Sequence, residues 1–297
     1  MFIFKNRNGM VRSGWLILLA CILLFAMQMI FSIPGIYMFR KHMESTGKQG
    51  NLMDIGDFPW LELLMNGGGV AGGILASIIA WRFINKRRVG KLGLNINYYN
   101  MKDFGFGLML GAFSMSIIFA VLVISGNVQL HSNLLSPEFS VYSLTYLILF
   151  LLVGFSEELF FRGYIMKTME ERQNPRWLIY IISAFIFSLF HGMNPNVTVF
   201  GLLNIALVGF LFSYMYDVTK SLWMPIGYHI TWNYFQGNVF GFPVSGTDPH
   251  GLYQVTVKNS ASLFTGGRFG PEGGLLATII IILGAAATHF YRRKRYY

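Results

Sequence analysis

The chain of 297 residues is 54% hydrophobic and 16% aromatic but only 12% charged, and its mean hydropathy of +0.50 excludes an ordinary soluble domain, in which about 25% of residues are charged. Several apolar runs reach about 20 residues, the span of a bilayer's hydrocarbon core, so the chain reads as a membrane protein. The net charge of +10 sits in short basic clusters between those runs rather than on one face, which argues against nucleic acid, and the single Cys21 allows neither a disulfide framework nor a cysteine zinc site.

In chain order, eight apolar helices are predicted, at 15–39, 61–84, 104–125, 141–162, 178–191, 197–216, 222–240 and 274–290. The first follows a basic leader of Lys5, Arg7 and Arg12 and superficially resembles a secretory signal. Its apolar run continues through Met27, Met29, Ile30 and Phe31, past the roughly 7–15 residues of a signal's core, so it reads as a retained helix. The second carries Gly67-Gly68-Gly69 and Gly72-Gly73, small residues that let membrane helices pack closely. The fifth and sixth are short, joined only by Gly192-Met193-Asn194-Pro195-Asn196, and read as embedded or half-length segments. Residues 241–273 form the longest external loop and show no recognisable chemistry.

The even number of spans puts both termini on one side. Lys5/Arg7/Arg12, Lys86/Arg87/Arg88/Lys91, Lys167/Arg172/Arg176, Lys220 and Arg292/Arg293/Lys294/Arg295 then share a face, against only Arg40, Lys41, Lys48, Lys258 and Arg268 on the other. By the positive-inside rule the basic face is cytoplasmic. The expected fold is all-α: one integral membrane domain over 1–297, a polytopic bundle with cytoplasmic termini.

Chemistry concentrates where charge is expensive. Among 13 acidic residues, the adjacent Glu157 and Glu158 sit in the apolar stretch from Leu147 to Phe161, with Arg162 close behind. An ionised side chain at the centre of a membrane helix costs roughly 2.5–3.5 kcal/mol on insertion scales, so such an acid is a functional candidate with a partner to be named. Glu158 and Arg162, four apart, stack on one helix face, while Glu157 is rotated by about 100° toward a different neighbour. The plainer reading is a helix end whose charges snorkel into head groups. Two further apolar helices each present a histidine, His191 and His229, the latter four residues before Asn233. Glu157 and His191 are each 17 residues from Asn174, at an Asn174-Pro175 break, so a hairpin there would bring them level.

A carboxylate flanked by imidazoles can hold and deprotonate a water for attack on a peptide carbonyl, and the His229 ring with the Asn233 amide can supply the donors that a tetrahedral oxyanion needs. Glu157, His191 and His229 also make a possible His2Glu zinc set; with no HExxH, the metal-free base without a cofactor is preferred. A non-enzymatic scaffold held together by the same polar residues, and a proton-coupled transporter, are the rivals from other classes.

At these residues the sequence resembles the CAAX protease and bacteriocin-processing family (CPBP, also called Abi), which includes the Rce1-type prenyl-protein endopeptidases. Glu157-Glu158-Leu-Phe-Phe-Arg162 fits its EExxxR motif, Phe187-Ser-Leu-Phe-His191 its FxxxH, and His229-Ile-Thr-Trp-Asn233 its HxxxN, with a similar Ser221-Leu222-Trp223 lead-in. One departure is Lys220, where members often carry glycine. The resemblance covers roughly residues 140–240, which would form the catalytic core. It implies Glu157 as the water-activating base with His191, His229 and Asn233 as the oxyanion site, and Glu158 and Arg162 as their support. It also implies peptide or lipidated-protein substrates cleaved at the membrane, although some members act as immunity or scaffolding factors.

Overall fold

The computed structural model describes residues 3–6, 8–47, 51–131, 133–258 and 263–296. Of the orienting charges, Arg7, Lys48 and the side chains of Lys294 and Arg295 lie outside the described set. The helical segments are α1 Ser13–Ser45, α2 Pro59–Ile84, α3 Tyr98–Ile124, α4 Val141–Glu171, α5 Arg176–Met193, α6 Val199–Thr219, α7 at 223–239 and α8 Leu275–Tyr296. Seven of these are long and apolar enough to cross a membrane, which makes the chain a multi-pass integral membrane protein of the all-α class. The short helix is α7, with 12 α-helical and five π-helical residues. The sequence placed the short spans at α5 and α6 instead, yet these run to 18 and 21 residues. Local chemistry sets several starts: Asn97 and Thr198 cap α3 and α6 by accepting from the Asn100 and Gly201 amides.

The chain divides into two units, residues 1–92 with 144–176, and residues 93–143 with 177–297. In the first, α1 and α2 meet through glycine. A Cβ on Gly68 would stand 2.5 Å from the Phe31 carbonyl oxygen, and one on Gly69 2.5 Å from Ser32 Oγ. The close packing expected at Gly67–Gly73 is therefore present, and it substitutes for the hydrophobic drive that helices lack inside lipid. Ser32 Oγ adds a bond to the Met65 carbonyl at 3.0 Å. The basic ends of this unit share one end: Arg87 pairs with Glu171 at 2.9 Å, and Asn174 Nδ2 donates to Ser13 Oγ at 3.1 Å.

The second unit is built around α3 and α7, again on small residues. A Cβ on Gly227 would lie 2.6 Å from the Phe104 carbonyl oxygen and 2.9 Å from Leu108 N, and one on Gly107 or Gly111 would overlap the Met224 or Tyr228 carbonyl. Thr231 Oγ1 donates to the Leu108 carbonyl at 2.8 Å. Around this seam lies the core, including Met115, Ile118, Leu122, Met215, Met224, Tyr228 and Phe242. The only sheet among the described residues is a two-stranded antiparallel ribbon, Val128–Leu130 with Val255–Val257, which pins the loop after α7 to the loop after α3.

Candidate active site

The first unit carries Glu157, Glu158 and Arg162 on α4. Glu158 and Arg162 are both fully buried and joined through Nη1 and Oε1 at 2.8 Å, the one-turn pairing expected from their spacing. Glu157 is half-buried. Directly after the acids, α4 turns π-helical over Leu159–Met166, a conformation that recurs at functional sites. The stretch is clamped from both neighbours. Tyr164 donates to the Leu16 carbonyl at 3.1 Å and meets Trp81 edge-on, while Ser156 Oγ would stand 2.6 Å from a Cβ on Gly73.

The second unit carries His191, His229 and Asn233, and the structure brings these three to the lining of one cavity. α5 delivers His191 because it seats closely on α6: a Cβ on Gly209 would come within 3.0 Å of Ala184 Cα, and Ser188 Oγ donates to the Leu202 carbonyl at 2.8 Å. α7 delivers His229 and Asn233. With Gly227 and Thr231 held against α3, the opposite face of the 3.6-residue repeat points His229 and Asn233 away from that seam. His229 is buried, stacked on Phe212 at 5.3 Å and edge-on to Phe187 at 6.2 Å, and Phe187 also contacts His191 at 4.8 Å. Two phenylalanines thus hold both imidazoles.

His191 Nδ1 lies 2.9 Å from the Phe187 carbonyl oxygen. A carbonyl only accepts, so Nδ1 carries the proton and Nε2 is the basic nitrogen of the neutral ring. The cavity has a volume of about 40 Å³, against roughly 10–15 Å³ needed for one water. A basic nitrogen beside room for water suits water activation, and a buried imidazole one turn from an amide suits an oxyanion.

The same cavity is lined by Asn204, Ser245 and Glu272, which the sequence reading missed. Asn204 was findable: it is a buried amide within the apolar α6, by the same rule that singled out Glu157. Ser245 and Glu272 come from the 241–273 stretch, in which Glu272 reads as one polar residue of a Gly-Pro-Glu-Gly-Gly turn. There Glu272 is buried, and burial pushes its carboxyl up to about 7 against the opposing pull of donors from Ser245, Gln236 and Trp232.

Lys220 ends α6 in the left-handed region at φ 54°, where glycine is the easier residue. The departure noted in the sequence therefore falls at a backbone position that favours glycine. Lys220 Nζ also pairs with Asp217 at 2.6 Å.

No curated protein matches the chain. Residues 139–235 match the family model described as Rce1-like, type II CAAX prenyl endopeptidase. That interval runs from just before α4 into α7 and contains the EExxxR, FxxxH and HxxxN residues together. Those residues are also the buried ion pair of the first unit and the cavity lining of the second, so residues 139–235 of this multi-pass membrane protein are similar to the Rce1-like, type II CAAX prenyl endopeptidases both in motif and in where the motif residues lie.

Proposed function

We propose that the protein is an intramembrane endopeptidase that hydrolyses a peptide bond in a membrane-associated or lipidated peptide or protein, with both termini cytoplasmic. Glu157 with the Nε2 of His191 takes a proton from water as that water attacks the scissile carbonyl. The developing oxyanion is met by the His229 ring and the Asn233 amide, and the proton then passes to the leaving amine. Glu158 and Arg162 support Glu157 from within α4. The observation that carries the reading is that His191, His229 and Asn233 line one and the same small cavity. No metal takes part in these steps, in which Glu157, His191 and His229 act as the acid–base and donor groups.

The test is cleavage of prenylated CAAX peptides, and of membrane-fraction proteins compared by proteomics, by reconstituted wild type and Glu157→Gln. Wild type is expected to cleave and the variant to lose at least about a hundredfold in kcat, the scale of a positioned acid–base group. Equal cleavage by both, at equal membrane levels, would overturn the assignment of Glu157. Metal analysis of the purified protein accompanies the assay: stoichiometric zinc whose removal abolishes cleavage replaces the metal-free chemistry.

A further inference from the structure

Glu272 is an acid that the proposed chemistry does not use, buried in the wall of the cavity that chemistry occupies. Its main chain is fixed first. The Asn204 amide on α6 donates to the carbonyls of Glu272 and Gly274 at 2.8 and 2.9 Å, and Thr278 of α8 donates to Asn204 Oδ1 at 2.7 Å. The turn before it also needs glycine: Gly270 sits at φ 114°, with Gln236 Nε2 2.8 Å from where a Cβ would be.

The carboxyl is fixed next, by donors alone. Oε1 accepts from Ser245 N at 2.5 Å and Ser245 Oγ at 2.9 Å, and Trp232 of α7 lines the same cavity. Trp232 and Gln236 lie on α7 on either side of Asn233, and Trp232 is one turn from His229. From Phe235 the helix widens into a π-helical segment, Phe235–Val239, that contains Gln236, a rare form that persists where something outside holds it. Gln236 Nε2, which donates to the Pro243 carbonyl at 2.6 Å, and Asn238 Nδ2, which donates to the His250 carbonyl at 3.0 Å, show the 241–273 loop doing so.

We propose that Glu272 is a positioning residue of the active site: its carboxylate, on a main chain anchored by Asn204, holds Ser245 and with it the turn whose Pro243 carbonyl accepts from Gln236, and so sets the rotation of α7 that turns His229 and Asn233 into the cavity. An acid is spent here because a carboxylate accepts from several donors at once without needing an acceptor of its own. The titratable groups that share its cavity are His191 of α5 and His229 of α7. The α6 and α8 residues holding its turn, Asn204 and Thr278, are neutral, Ser245 is neutral, and Arg268 of its own loop is exposed. The inference rests on the endopeptidase reading for one arm of its test and stands apart from it in the other.

The activity arm compares wild type, Glu272→Gln, Glu272→Asp and, as a control acid in an exposed loop, Glu138→Gln. Wild-type kcat is expected to climb as pH rises through about 7. Glu272→Gln should lower kcat about tenfold with little change in KM and lose that ascending limb, while Glu272→Asp recovers the limb and part of kcat. The second arm needs no substrate: diethyl pyrocarbonate labelling of His229, read by peptide mass spectrometry against the exposed His131, should speed up several-fold in Glu272→Gln. A Glu272→Gln protein with wild-type kcat, pH profile and His229 labelling rate overturns the proposal. So does a loss that tracks only the amount of folded protein. If wild type cleaves nothing, the endopeptidase reading falls, and the labelling arm decides the role of Glu272 by itself.

Discussion

Gly227→Ala tests how the site is seated. The added methyl would lie 2.6 Å from the Phe104 carbonyl oxygen, where ordinary contact begins at 3.4 Å, so α3 and α7 must part by about 0.8 Å. Both obstacles, Phe104 O and Leu108 N, are backbone and cannot rotate aside. Separation on that scale stretches the 2.8 Å bond from Thr231 Oγ1 to Leu108 O beyond hydrogen-bonding range. Overpacking of this kind costs about 1–3 kcal/mol and the lost bond about 1, while alanine returns about 1 in helix propensity. The net is roughly 1–3 kcal/mol, or a fall of about 2–12 °C in melting temperature by thermal unfolding in detergent. Gly105→Ala on α3 is the matched control, because nothing lies within 4 Å of its Cβ position; it should melt at or above wild type by up to about 1 kcal/mol. Cleavage should also suffer in Gly227→Ala, approaching the hundredfold loss that a displacement of about 1 Å brings. If both alanine variants shift the melt in the same direction, the glycine seam is not what seats α7.

Arg162→Met leaves Glu158 fully buried opposite an apolar group and should destabilise by about 3–5 kcal/mol, whereas the Glu158→Leu/Arg162→Met double variant should fall well short of the two single losses added together, as read from a thermal double-mutant cycle. Lys220→Gly relieves the left-handed backbone at the end of α6 and should stabilise by about 0.5–1 kcal/mol, less the weak contribution of the exposed pair with Asp217, in the same assay. Glu272 is raised from its ordinary 4.5 to about 7 in the folded protein. The native state therefore binds the extra proton, its contribution is complete below about pH 4.5 and is lost as pH rises through about 7, and the swing is on the order of 3 kcal/mol. Melting temperatures measured from pH 5 to 8 should fall for wild type and stay flatter for Glu272→Gln.

The eight helices were legible because burial in lipid imposes long apolar runs, and the polar residues within those runs stood out for the same reason. Glu158 and Arg162 show this best, since a spacing of four predicted their pairing outright. The contact of α1 with α2 was legible at Gly67–Gly73, but the same device at Gly107, Gly111 and Gly227 passed unnoticed because those glycines are scattered over two helices. The two imidazoles were found on separate helices, yet the phenylalanines that hold them, Phe187 and Phe212, look like any apolar residue of a membrane span. Ser245 and Glu272 were invisible for a different reason. Nothing in a polar, glycine-rich loop records that it folds inward, because that depends on partners as distant in sequence as Asn204. The π-helical stretches also escaped, since apolar periodicity barely separates a wide turn from an ordinary one.

The wide turns of α4 have an implication for how such chains change over time. A π-helical run places more residues in a turn than an α-helix does, so Leu159–Met166 holds slack that the rest of the span lacks. Losing one residue there would tighten the run toward ordinary helix while leaving Glu157 and Glu158 upstream untouched. The same loss in the middle of α6 would swing every later side chain by about 100°. Length variation among relatives should therefore gather just after the two acids, where the span can absorb it.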